Sequence, residues 1–341
     1  MTSPVWQIKK GVWAGATICS APSISQWFVG GTADITSKGR LILINSGLSE
    51  AVIDVEIWSE SGIQPPKVVT LKANSSVVQS LDSLDPGAKR IALHIVPRSG
   101  RVNAVLVDER GRGLQALGGD MVNASPDPSK VVVIPAIPHM KRSGKALGHT
   151  LRVIAPGDID ARISVELIST KGSFVPFGFA DRAIKAGIVT EIPLNPQLVP
   201  STFALKITSD RAIVASVYSS TYAQAKSDFV WSTSTAEMKE YSLAVSGLSP
   251  TLVFAGEKIS ISLSILYTNK KEKKFTITGE GIATFKVPDN ARTINFTKVS
   301  DKTVGGSLIS TQSGFGYLPL VPGSELTRVL LPSANIRVLN P

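Results

Sequence analysis

The chain has 341 residues, 43% of them hydrophobic and 18% charged, and a formal net charge of +10. That length exceeds one ordinary core and implies two or three domains, and an apolar composition dominated by Val, Ile, Ser and Thr excludes disorder. A single cysteine, Cys19, excludes an intramolecular disulfide, a Cys-rich zinc site and a CxxC redox motif.

Residues 1–37 read as an amino-terminal segment of strand and linker. Cys19 follows Ala16, Thr17 and Ile18, and the bulky Ile stands where a lipoprotein signal needs a small residue. No run reaches the ~18 apolar residues of a membrane span, and "GVWAGATIC" is too short and polar for a secretory core. If the protein is exported, its anchor or signal lies outside this numbering.

The stretch "LILINSGLSEAVIDVEIWSESG" (residues 41–62) returns as "LRVIAPGDIDARISVELISTKG" (residues 151–172). The copies agree at Leu41/Leu151, Ile44/Ile154, Gly47/Gly157, Ala51/Ala161, Ile53/Ile163, Val55/Val165, Glu56/Glu166, Ser59/Ser169 and Gly62/Gly172. Ala51, Ile53, Val55 and Ile57 alternate with Val52, Asp54, Glu56 and Trp58, the period of a half-buried strand. With an apolar strand before it and Asn45, Ser46 and Gly47 as turn residues, the unit reads as a β-hairpin. Further on, "IALHIVPRSGRVNAVLV" (91–107) matches "FALKITSDRAIVASVYS" (203–219), and "INFTKVSDKTVGGSLIS" (294–310) is a fainter third copy. Each reads as a hairpin closing a module of roughly immunoglobulin size.

Helix signals are weak: "GLQALGGDM" (113–121) and "TAEMKEYSL" (235–243) could make a turn or two. The fold class is therefore all-β, three tandem immunoglobulin-like β-sandwich modules at 38–125, 126–243 and 244–341. Linkers are expected at 123–140 and 244–256, with Pro135 and Pro138 fitting an edge strand or crossing segment.

"QWFVGG" (26–31), the 41–62 stretch and "GGDMVNASPDPSKVVVIPAIP" (118–138) resemble a family of uncharacterised actinobacterial secreted or membrane-anchored proteins, classified only as a domain of unknown function. Trp27, Phe28, Gly30, Leu43, Asn45, Ile134, Pro135 and Pro138 carry the resemblance. Met121 stands where that family tends to have Trp, and its amino-terminal membrane helix is missing here. The resemblance implies an extracellular or cell-envelope location and supplies no catalytic residue.

Among candidate sites, "GRGLQA" (111–116) formally fits a dinucleotide fingerprint but lacks the βαβ setting and reads as a glycine-rich loop. His94, His139 and His149 have no third ligand at metal spacing, and the two near residues 139–149 read as solvated linker residues. Glu56 and Glu166 point away from the inward residues and read as solvated or cross-strand-paired. No cofactor is implied.

The strongest recognition signal is basic. Lys130, Lys141, Arg142, Lys145 and Arg152 lie between Asp127 and Asp158 with no acid among them, and Lys270, Lys271, Lys273 and Lys274 crowd a hairpin tip. They are candidates for contact with anionic envelope polymers, other envelope proteins or a membrane surface. Neither a stacking platform nor a recognition helix points to nucleic acid. The expected function is a non-enzymatic structural or interaction protein of the envelope. The alternative is a polysaccharide-acting hydrolase with a carboxylate pair between modules.

Overall fold

A computed structural model describes residues 2–9, 13–112, 115–196, 202–223, 226–311 and 314–323. Among these the regular structure is all strand, apart from one 3-10 turn at Leu81–Ser83. The chain begins with an antiparallel hairpin of β1 (Ser3–Lys9) and β2 (Trp13–Cys19).

Eight strands follow: β3 (Gln26–Val29), β4 (Arg40–Asn45), β5 (Ala51–Ser59), β6 (Gly62–Leu71), β7 (Ser75–Ser80), β8 (Ile91–Ser99), β9 (Asn103–Arg112) and β10 (Gln115–Val122). They form two sheets, β3-β8-β5-β6 and β10-β9-β4-β7. Leu41 and Leu43 of one sheet meet Ile53, Val55, Ile57 and Leu93 of the other in a shared core. Removing each such side chain from water is worth about 1.5–3 kcal/mol.

The second set is β11 (Ser129–Pro138), the small hairpin β12 (Lys141–Arg142) and β13 (Lys145–Ala146), β14 (His149–Ile154), β15 (Ala161–Ser169), β16 (Gly172–Phe174), β17 (Arg182–Ile184), β18 (Thr190–Leu194), β19 (Thr202–Ala223) and β20 (Lys226–Thr233). The 22-residue β19 serves both sheets: its first part pairs with β11 and β15, its second with β14 and β20. The last set is β21 (Tyr241–Ala244), β22 (Thr251–Tyr267), β23 (Glu272–Lys286), β24 (Ala291–Val299), β25 (Val304–Thr311) and β26 (Gly314–Pro319). Here β22 pairs early with β25 and late with β24, so one sheet folds over a core that unites Leu252 and Phe254 with Ile261, Leu263 and Ile294.

One strand order recurs through the three sets. Sheet β3-β8-β5-β6 corresponds to β11-β19-β15-β16 and to β21-β24-β22-β23, while β10-β9-β4-β7 corresponds to β20-β19-β14-β18 and to β26-β25-β22-β23.

This order corrects the hairpin expectation. Strands β4 and β5 lie in different sheets, as do β8 and β9; β14 and β15 pair with opposite ends of the long β19, and β24 and β25 with opposite ends of the long β22. Each repeated unit is an arch that crosses between the two layers over its core rather than a hairpin within one layer. Alternation points the same residues inward in a hairpin or an arch, so periodicity does not separate the two. A polar side chain at each of these arches makes a comparable bond. Ser99 Oγ accepts from Val52 N at 3.2 Å, Asp210 Oδ1 from Arg162 N at 2.8 Å and Ser300 Oγ from Ser260 N at 2.9 Å. In each set a side chain at the arch thus satisfies a backbone donor on the strand paired beside it.

Other expectations shift as well. Residues 115–121 are strand β10, and β3, inside residues 1–37, pairs with β8. Strand β21, which begins inside residues 126–243, pairs with β24. The proline-rich 123–140 region holds strand β11, which pairs along one side with β19, as Pro135 and Pro138 suggest.

Candidate functional site

Seven of the nine candidate basic residues fall on two hairpin tips. Lys141, Arg142 and Lys145 flank a tight turn in which Ser143 (φ 50°) and Gly144 (φ 78°) both take left-handed backbone, the geometry that suits the twist of a two-residue hairpin. The Arg142 guanidinium lies 4.2 Å from the Tyr222 ring centre. Lys130 is exposed on β11. At the β22–β23 tip, Lys270, Lys271, Lys273 and Lys274 are exposed, with Lys271 N donating to Asn269 Oδ1 at 3.1 Å and the Lys273 ammonium 5.1 Å from the Phe275 ring centre.

Arg152 does not join them. It is 1% exposed, at the joint between the first and second strand sets. Its guanidinium donates to Glu191 Oε1 at 2.7 and 3.0 Å, to Gly31 O at 2.6 Å and to Ile91 O at 3.2 Å. It also lies 4.8 Å from the Trp231 ring centre. The alternation of β14 does turn Arg152 away from its own core, but the first strand set covers that outer face. Trp27, Val29, Trp58 and Ala92 pack there against Ile154, Val189 and Val214. Trp58 stacks on Trp27 at 5.2 Å, and Ser216 Oγ donates to Val29 O.

Around Trp231 of β20 lies a buried ionic cluster that sequence reading missed. Its backbone N–H donates to Asp120 Oδ2 at 2.7 Å and its indole N–H to Asp108 Oδ2 at 2.9 Å. Asp108 and Asp120 oppose one another across β9 and β10, and both are fully buried. Arg110 pairs with Asp108 at 2.9 Å and lies over Tyr218 and Phe229, at 4.7 and 5.0 Å from their ring centres. In return, Asp228 of β20 accepts from Gly119 N of β10 at 3.1 Å.

Burial pushes the Asp120 carboxyl well above the usual carboxylate range, with nearby Asp228 and Asp108 adding to the effect against the Trp231 and Met121 amides. Burial also pushes Asp228 up to about 7, although backbone amides of Gly119, Phe229 and Ala14 oppose it. For Arg110, burial works against the charge, yet Asp108 and its surroundings carry its pKa above the ordinary value. The arrangement can retain a proton and tie β10 to β20. Asp120 and Asp228, from different strand sets, are 0% and 5% exposed, whereas a glycosidase pair must flank a sugar in an open cleft.

Strand β10 packs on β20 and β2, and β26 packs on the same two strands. Glycines make the approach possible: a Cβ on Gly119 would stand 2.8 Å from the Trp13 ring, and one on Gly118 (φ +116°) 2.8 Å from Asp228 Cα. Asn123 Nδ2 binds the junction together, donating to Ala16 O at 3.0 Å and Tyr317 O at 2.8 Å.

The histidines are not solvated linker residues. His139 and His149 are 5% and 2% exposed, stacked with Nδ1 of the first 3.1 Å from Nε2 of the second, and His149 Nδ1 is 2.9 Å from Ser219 Oγ. His139 follows β11, which occupies the region read as linker, and His149 opens β14; burial, with His139 beside it, pushes His149 down to about 4. His94 stacks on Trp27 and meets its cross-strand partner Glu56 at 2.8 Å, while Glu166 lies opposite Lys206. Of "GRGLQA", residues 113 and 114 lie outside the described residues, and what flanks them is the β9–β10 hairpin. Among the described residues no group of three or more His, Cys, Asp or Glu could hold a metal, and no helix is long and apolar enough to cross a membrane.

An all-β chain of recurrent sheets joined through buried charge is the class this geometry defines. Residues 5–287 match the family of unknown function DUF5719, and the chain belongs to that family. No curated protein matches. A crystal structure from Thermotoga maritima, titled Thermotoga maritima 1070, is 16% identical with a TM-score of 0.27, covering 30% of this chain and 93% of its own.

Proposed function

We propose that the chain is a non-catalytic cell-envelope or extracellular protein, a stiff body of three tandem β-sandwich modules that offers basic hairpin tips to anionic envelope polymers. The observation that carries this reading is the division of charge. Arg110 and Arg152 are spent inside the joints, while Lys141, Arg142, Lys145 and Lys270, Lys271, Lys273 and Lys274 stand in solvent. Buried joints between modules resist bending, and exposed cations on rigid hairpins suit a polyanion whose spacing varies. The proposed kinship with immunoglobulin domains is one of layered architecture. Immunoglobulin sheets keep strands C, F and G together, whereas here β9 crosses away from β8.

The test is co-sedimentation of the purified chain with a polyglycerol-phosphate polymer across a salt series. Replacing Lys141, Arg142 and Lys145 together by Glu should abolish a salt-sensitive interaction while leaving the urea midpoint unchanged. Salt-insensitive binding, or retention after charge reversal at both tips, would sink the polymer reading. Recovery of the native protein from the cytosol alone would sink the envelope reading.

A further inference from the structure

Between β16 and β17 the chain leaves the edge of its sheet and returns. Phe174 and Val175 are 46% and 45% exposed there, and Phe177 is 104% exposed, fully in solvent. The segment is built rather than loose. Phe179 N donates to Pro176 O at 3.1 Å, and Gly178 supplies the positive φ of +79° that the third position of a type II turn requires. Phe179 itself is buried in the second core, and its carbonyl accepts from Val165 N at 2.9 Å. On the far side Arg162 clamps Asp181 at 2.7 Å, and Ala186 N donates to Asp160 Oδ1 at 2.9 Å. Phe177 is thus the outermost point of a loop pinned at both ends. An apolar ring held out this way, with its ordering cost already met, is prepared for a partner.

Charge identifies the partner. Lys171, Arg182 and Lys185 flank the loop and are exposed, and among the described residues no acid lies within ion-pair distance of them. The loop's own acid, Asp181, is neutralised by Arg162.

We propose that this turn docks on an anionic lipid bilayer, with Phe177 entering the interface ahead of Phe174 and Val175 while Lys171, Arg182 and Lys185 meet the headgroups. A single convex point suits a fluid surface, which opens around it, better than a protein, which would need a matching pocket already formed. The proposal is independent of polymer binding, because it uses a different segment and an apolar contact.

The experiment is sedimentation of the full chain with phosphatidylcholine vesicles, with and without phosphatidylglycerol. Preferential binding to the anionic vesicles is expected. Phe177→Ser should weaken that binding about tenfold, and replacing Lys171, Arg182 and Lys185 together by Ala should remove the preference for phosphatidylglycerol. Because Phe177 is in solvent, the urea midpoint of Phe177→Ser should equal that of the parent, and a Phe177→Trp variant should be quenched by brominated lipid. Absence of vesicle binding overturns the proposal, as does binding that survives Phe177→Ser or that is lost on reversing Lys141, Arg142 and Lys145 instead. Concentration-dependent self-association abolished by Phe177→Ser, without vesicle binding, would assign the tip to a second copy of the chain and overturn it equally.

Discussion

Arg152→Ala removes a buried side chain that bonds across the first joint to Gly31, Lys89 and Ile91. Its guanidinium is the hydrogen-bond donor that meets Gly31 O, at 2.6 Å, whereas Ile91 O keeps a second donor in Gly30 N at 3.2 Å. One buried acceptor is therefore orphaned, at about 1–3 kcal/mol, while the part-buried Lys89 O loses a longer bond at 3.3 Å. Glu191 keeps 28% side-chain exposure and has Arg90 at 3.5 Å, so water and that neighbour recover much of its charge. The full 3–5 kcal/mol of a broken buried pair consequently does not apply. Adding the packing lost against Trp231, the expected cost is about 3 kcal/mol. Urea unfolding followed by tryptophan emission measures it, because Trp231 lies within the affected joint. Arg142→Ala, on an exposed tip, should cost less than about 0.5 kcal/mol in the same assay. A cost for Arg152→Ala below about 1 kcal/mol, or equal to that of Arg142→Ala, would refute the assignment of Arg152 to the joint.

The junction carboxylate makes stability depend on pH. Asp228 is held at about 7 in the folded chain, against about 3.9 when unfolded. The folded state therefore binds the extra proton across that window, and stability falls as pH rises through it. Asp228→Asn should gain on the parent by a few kcal/mol in urea unfolding between about pH 5 and about pH 8. A difference between the two proteins that stays constant with pH would contradict the placement. Gly118→Ala should cost more than about 2 kcal/mol, since its Cβ would stand 2.8 Å from Asp228 Cα and 3.2 Å from the Phe229 ring at φ +116°. Gly144→Ala meets nothing within 4 Å at φ +78° and should cost only about 1 kcal/mol. Similar unfolding midpoints for the two would show that β10 and β20 are not in close contact.

Alternation along residues 51–57 and 161–167 fixed strand identity and inward faces, because a period of two is a local property that survives in any sheet. Glu56 and Glu166 point outward as read, and of the edge strand or crossing segment that Pro135 and Pro138 allowed, the structure shows the edge strand. The arch bonds of Ser99, Asp210 and Ser300 were not visible, because the backbone donor each one meets lies some 40 to 50 residues away. Which strand pairs with which was not visible, since a hairpin and an arch share one inward pattern.

The ionic cluster shows the same boundary from the side of chemistry. Asp108, Arg110, Asp120 and Asp228 sit in or beside apolar strand residues, a signal available in the sequence, but each is an ordinary surface residue if its strand faces water. Arg152 is the sharpest case. By itself the sequence determined that it points away from the core of its own sheets, just as the aligned Ile42 does in the first copy. Only the tertiary structure decided that another strand set covers that outer face, turning a presumed surface cation into a buried one with Glu191, Gly31 and Ile91 as partners. Local periodicity reports which side of a strand a residue occupies, and burial of that side depends on what the rest of the chain lays against it.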